Sequence, residues 1–125
     1  MTEPAPGGGP LDGVRVLDLA VERAGSVATM LLADLGADVV RPQSRGGAHE
    51  RRSPYEEVAG ICWDRGKRRV VVDSTDPATD SSLDRLLLAA DVVVVDGGPA
   101  SVRARGLRPN VLAQRNPYAV IGWLP

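Results

Sequence analysis

The stretch that decides the fold is "VRVLDLAVERAGSVATMLLADLGADVVRPQ", residues 14–43. It begins with "VRVLDL" (14–19), short and rich in Val and Leu, which reads as a strand. Over residues 25–35, Val27, Met30, Leu31 and Leu35 recur at helical spacing, so a helix is expected, with Ser26 and Thr29 as its opening cap. Gly36 stands where a helix closes through a residue at positive φ. "ADVVRP" (37–42) is then a second strand, stopped by its proline. Strand, helix and strand in so short a span form a βαβ unit, whose two strands run parallel.

The remainder repeats the alternation. "RRVVVD" (68–73) is a third strand, and Asp76-Pro77 opens a helix whose apolar face is Leu83, Leu86, Leu87 and Ala90. "DVVVVD" (91–96) is a fourth strand, and its consecutive valines imply burial on both faces. Short helices follow over 100–105 and 109–115, and "YAVIGWL" (118–124) is a final strand. Residues 43–60 show no usable period and read as a long loop, with at most a short helix over 55–59. The expected architecture is an α/β fold: an open, mostly parallel sheet of about five strands flanked by helices. Residues 1–10, "MTEPAPGGGP", are expected to be a flexible tail, and 11–125 one domain.

Composition narrows the function. The core must be aliphatic, because there is no Phe and only two Trp and two Tyr. Sixteen acidic residues against 15 basic ones leave a net charge of −1, which argues against a general nucleic-acid binder. Cys62 and His49 are each the sole residue of their kind, which removes disulfide frameworks, cysteine metal sites and most Ser-His-Asp schemes. No apolar run reaches the ~18 residues of a membrane span, and no signal pattern opens the chain, so a cytoplasmic setting is expected.

In an open parallel sheet, ligands bind beyond the carboxyl ends of the strands. The candidate positions are residues 19–25, 42–45, 73–76 and 96–99. The turn "AVERAGS" aims a helix amino terminus at that edge, where free backbone N–H groups favour phosphate or carboxylate; the alternative is a plain connector. A dinucleotide fingerprint is excluded, since the turn has one glycine, Gly25, where three are needed. A Walker loop also fails: between Gly60 and Gly66 there is one residue too many, and Arg68 stands where Ser or Thr must hold magnesium. Asp18 alone does not make the acidic pair of a receiver domain.

Arg45, Arg51, Arg52, Arg65, Lys67, Arg68 and Arg69 form the densest charge in the chain, diluted by Glu50, Glu56, Glu57 and Asp64. They are either solvated surface or, for a few, holders of a polyphosphate through charge-assisted hydrogen bonds. Trp63 beside them is either a buried anchor or a stacking face for a base.

Five strings, "PLDGVRVLDLA", "AGSVATMLLADLGADVVR", "DRGKRRVVVD", "AADVVVVDGGPASVRARGL" and "RNPYAVIGW", resemble in order and spacing the N-terminal part of the family III CoA-transferases. That family includes formyl-CoA transferase, carnitine-type CoA-transferases and alpha-methylacyl-CoA racemase. The resemblance implies a Rossmann-like domain that binds coenzyme A or an acyl-CoA. It assigns Glu22, Arg23, Ala24 and Gly25 to the CoA pocket, Trp63, Asp64 and Lys67 to the vicinity of its nucleotide end, and Asp96 and Gly97 to a further contact. No metal and no covalently bound cofactor is implied.

Four departures stand out. Ser26 replaces a usual proline, Gln43 a glutamate and Asp64 an asparagine, and "VDGGPA" (95–100) replaces an "ENFRPG"-like edge. At that edge an adenine loses a stacking partner and Asp96 repels a nearby phosphate. The family's aspartate, which attacks the acyl-CoA thioester to give a mixed anhydride, lies beyond the matched region, so no catalytic residue is named. The expected function is therefore the CoA-binding-type portion of a transferase or racemase, inactive by itself. The alternative is a non-catalytic binding or interaction domain derived from that family. The family's second domain is also missing from this stretch, so a homodimer or a partner chain is expected to complete the fold.

Overall fold

The computed structural model describes residues 8–44, 54–72 and 77–125. Ten elements alternate along the chain: β1 (Arg15–Asp18), α1 (Arg23–Asp34), β2 (Asp38–Ser44), α2 (Pro54–Trp63), β3 (Lys67–Val72), α3 (Pro77–Ala89), β4 (Val92–Asp96), α4 (Pro99–Ala104), α5 (Pro109–Arg115) and β5 (Val120–Leu124). The strands form one sheet in the order β3-β2-β1-β4-β5, and every neighbouring pair is parallel.

Side-chain alternation along the strands separates two interiors. On one face Val16, Val39 and Val94 join Ala37, with Leu32 and Ala33 of α1 packed against them. On the other, Leu17, Val93 and Val95 meet Leu87 and Ala90 from the end of α3 and Leu112 of α5. Each fully buried Val or Leu contributes roughly 1.5–3 kcal/mol. Val93, Val94 and Val95 of β4 are buried, on both faces, and Val92 is half-buried, because the strand lies inside the sheet with helices on either side. The face expected for α3 is also observed, with Leu87 and Ala90 buried and Leu83 and Leu86 half-buried.

Several local expectations are corrected. Helix α1 starts at Arg23, so Ser26 and Thr29 lie inside it, and no side chain of Glu22, its N-cap, closes its first turn. Its buried residues are Gly25, Ser26 and Thr29, whereas Leu31 and Leu35 are 52% and 46% exposed. Residues 54–63 form a full helix rather than part of a loop. Strand β2 continues through Pro42 to Ser44. Beyond Val40 it is paired only with β3, and one-sided pairing is where a strand tolerates proline.

The carboxyl end of α1 closes as expected. Gly36 takes φ +100°, its N–H donates to the Ala33 carbonyl, and the Ala37 N–H donates to that of Leu32. Gly9 packs against this closure, and the Leu11 N–H donates to the Leu35 carbonyl.

Candidate functional site at the strand-order reversal

In this sheet β2 and β3 extend to one side of β1, and β4 and β5 to the other. The order therefore reverses between β1 and β4, which is where an open α/β sheet opens a crevice beyond its strand ends. Residues 19–25 follow β1 here, and Asp96 with Gly97 ends β4.

The start of α1 is already partly occupied by a side chain of this sheet. Asp96 is fully buried and turns its carboxylate into the start of α1. The Val21 N–H donates to Oδ1 at 2.8 Å, the Glu22 N–H to both oxygens at 3.1 and 3.0 Å, and the Gly25 N–H to Oδ2 at 3.0 Å. Three of the backbone donors read from sequence as free for a phosphate are thus engaged by a carboxylate from another strand, 71–75 residues away. Glycine at 25 is what permits it: a Cβ there would stand 2.5 Å from Asp96 Oδ2 and 2.6 Å from the Ala20 Cβ. The carboxylate complements the positive end of the helix dipole.

Two further groups pin this junction. The Arg105 guanidinium donates to the Leu19 carbonyl at 3.0 Å and to the Asp96 carbonyl, tying the ends of β1 and β4 together. The Trp123 indole N–H donates to the Gly97 carbonyl at 2.9 Å. Val21, Glu22, Arg23, Ala24, Gly98, Pro99 and Ala100 are exposed around the crevice.

Beside it, between α1 and the sheet, lies a buried ionic cluster. The Lys67 ammonium reaches from the first residue of β3 to Asp18 Oδ2 at 2.9 Å and to the Ser26 carbonyl at 3.0 Å, with both charged side chains fully enclosed. Thr29 Oγ1 donates to Asp18 Oδ2 at 2.9 Å, and the Ala20 N–H donates to Oδ1 at 3.0 Å. Arg41 bridges Asp18 at 3.4 Å and Asp64 at 3.3 Å, and Arg69 reaches Asp64 at 3.1 Å. This cluster explains the polar buried face of α1. Nearby, the Arg23 guanidinium lies 5.4 Å over the half-buried Trp63 ring.

The expected site residues fall into two neighbouring groups. Glu22, Ala24, Gly25, Asp96 and Gly97 meet at the reversal. Arg23 stacks on Trp63, while Asp64 and Lys67 sit in the ionic cluster. Lys67 points inward to Asp18 and the Ser26 carbonyl with its side chain fully enclosed, and Gly97 contributes a carbonyl to Trp123. Asp18, Thr29, Arg41 and Arg105 were not expected; only the position of Asp18 at a strand end gave a signal. Arg45, Arg51, Arg52, His49, Glu50 and residues 73–76 lie outside the described residues, and nothing is described of the Glu56 side chain. Arg65 and Arg68 instead form exposed fork pairs with Asp34 and Asp38, and these hydrogen bonds raise both guanidinium pKa values. Among the described residues no acidic, His or Cys cluster could hold a metal, and no helix is long and apolar enough to cross a membrane. A cavity of about 290 Å³ lies toward the opposite, amino-terminal end of the strands, lined by Arg15, Asp38 and Arg68 among others.

Against known proteins, residues 11–123 match the model of CoA-transferase family III. The chain belongs to that family. The family III chain is 36% identical over 118 residues to the Mycobacterium tuberculosis protein named "Probable fatty acyl-CoA transferase Rv3272", covering 89% of this chain and 30% of that one. It is 33% identical to succinate–glutarate CoA-transferase of Agrobacterium fabrum, covering 89% of this chain and 31% of the relative. Its fold superposes on a CAIB/BAIF family protein from Brucella suis with a TM-score of 0.72 and 31% identity, over 92% of this chain and 33% of the other. The family III chain thus spans about 30% of the length of the relatives it matches, in their N-terminal part.

Proposed function

We propose that this chain supplies the coenzyme A-facing part of a CoA thioester transferase, with the ligand lying over the strand-order reversal. The observation that carries the reading is the convergence of residues 21–25 and the end of β4 at one point of the sheet, in a chain whose family is CoA-transferase III. Glu22, Arg23, Ala24, Gly25 and Gly97 would border the ligand, with Trp63 and Asp64 to one side. Asp96 and Lys67 would shape the site from within. The carboxylate that forms the acyl anhydride would come from the remaining length seen in the relatives, so residues 11–125 would act as one binding unit without turnover.

The setting would be the cytoplasm. A second copy or a partner chain would cover Leu31, Leu35, Val58 and Ile61, which stand exposed on α1 and α2. Calorimetric titration with coenzyme A and acetyl-CoA should release heat, and a thioester-exchange assay on this chain should read zero. A flat titration at millimolar ligand would sink the reading. A monomer in sedimentation would remove the second copy but leave the ligand untouched.

A further inference from the structure

We infer that Asp96 is a specificity-determining residue: by occupying the start of α1 with its own carboxylate, it denies the strand-order reversal to anionic groups and leaves it to an uncharged part of the ligand. This rests on the proposed reading only for the identity of that ligand.

Three observations carry it. Three of the donors that could hold a phosphate, the N–H groups of Val21, Glu22 and Gly25, are spent on Asp96. The Asp96 carboxylate has no ion-pair partner among the described residues, since Arg105 binds its backbone carbonyl, so a negative charge remains in the crevice. A second anion about 4 Å away meets a repulsion of about 4 kcal/mol at an effective dielectric near 20. Of the rim, Val21, Ala24, Gly98, Pro99 and Ala100 are uncharged and Glu22 is acidic, while the one cation, Arg23, lies 5.4 Å over the Trp63 ring. Nor is the carboxylate placed to swing aside, because it is fully buried and held by the N–H groups of Val21, Glu22 and Gly25. Of a CoA thioester, the phosphates are thereby refused here, and the neutral, amide-bearing pantetheine arm is the part that fits.

The test follows the backbone amides of Val21, Glu22 and Gly25 by NMR while inorganic pyrophosphate is added. In the wild-type protein they should stay in place. In Asp96→Ala they should shift, with pyrophosphate bound at least about tenfold more tightly than by wild type. Movement of these amides in wild type would overturn the inference, and that measurement decides alone if Asp96→Ala fails to fold. A folded Asp96→Ala that leaves them unmoved would overturn it too, since something else would then exclude the anion. Failure of coenzyme A to bind, with the pyrophosphate results as expected, would defeat the proposed function and leave Asp96 in its role.

Discussion

Asp18 ends β1 and Asp96 ends β4, the next strand across the sheet, and both carboxylates are buried against the same helix. Their charges are balanced in different ways. Asp18 is met by point charges, an enclosed Lys67 and a nearly enclosed Arg41, with Thr29 and the Ala20 N–H completing its shell. Asp96 is met by backbone N–H groups and the dipole of α1, with no ion pair to its carboxylate among the described residues. The first arrangement is architectural, because Lys67 opens the edge strand β3 and ties it to β1 past the intervening β2. The second acts where a ligand would arrive. Neighbouring positions in one sheet thus carry a structural charge and, on the proposed reading, a functional one, and they differ in the nature of the balancing group.

Breaking the first arrangement should cost most. Asp18→Ala leaves the Lys67 ammonium buried with only Asp64, at 3.7 Å, as counterion, and about 3 kcal/mol of stability should be lost in urea unfolding. The double variant Asp18→Leu with Lys67→Met removes both charges and should recover most of that loss. A single variant costing under about 1 kcal/mol would mean that water reaches the ammonium.

Asp96→Ala should cost less, about 2 kcal/mol, because the released N–H groups open onto an exposed rim where water can replace the carboxylate. Gly25→Ala sharpens the point. In the parent its Cβ would crowd Asp96 Oδ2, at a cost of about 1–3 kcal/mol. With Asp96 already alanine that clash is gone, so the same substitution should cost measurably less, leaving only the contact with Ala20. Strictly additive losses in this cycle would show that the carboxylate does not press on Gly25.

The same contrast explains what could be read from sequence. The alternation of valine-rich strands with amphipathic segments led to the parallel sheet, and "DVVVVD" to a strand buried on both faces, because aliphatic burial leaves a periodic trace. Helix α1 misled for the opposite reason. A search for apolar residues settles on Val27, Met30, Leu31 and Leu35, yet the buried face is Gly25, Ser26 and Thr29, fixed by ions 23–49 residues distant from Asp18. Asp18 was legible as a strand-end acid but not as half of a pair, since Lys67 is close only after the sheet has formed. Family resemblance marked Asp96 as a contact that would repel a phosphate; only the folded chain shows that its carboxylate accepts from the N–H groups of Val21, Glu22 and Gly25. Arg105, in the turn after a short helix, carries no local signature of its two strand-end carbonyls.

A third carboxylate marks the low end of the scale. Asp34, the last residue of α1, takes a fork from Arg65, with Nε to Oδ1 at 3.2 Å and Nη2 to Oδ2 at 2.6 Å. The hydrogen bond from Arg65 is the main reason its pKa lies below the usual 3.8, with slight burial opposing and the guanidinium charge assisting. A folded value below the unfolded one means that the pair stabilises at neutral pH. That contribution is fully present above the unfolded value and is lost as pH falls through the folded one. Both side chains are largely exposed, so water and salt weaken the attraction, and an acid at the carboxyl end of a helix also opposes its dipole. Asp34→Asn should therefore lower the urea midpoint less than either buried substitution. Its difference from the parent should shrink in high salt and close in acid below the usual carboxylate range. A loss as large as that of Asp96→Ala, or one that persists in acid, would mean that depth in the fold does not rank these three carboxylates.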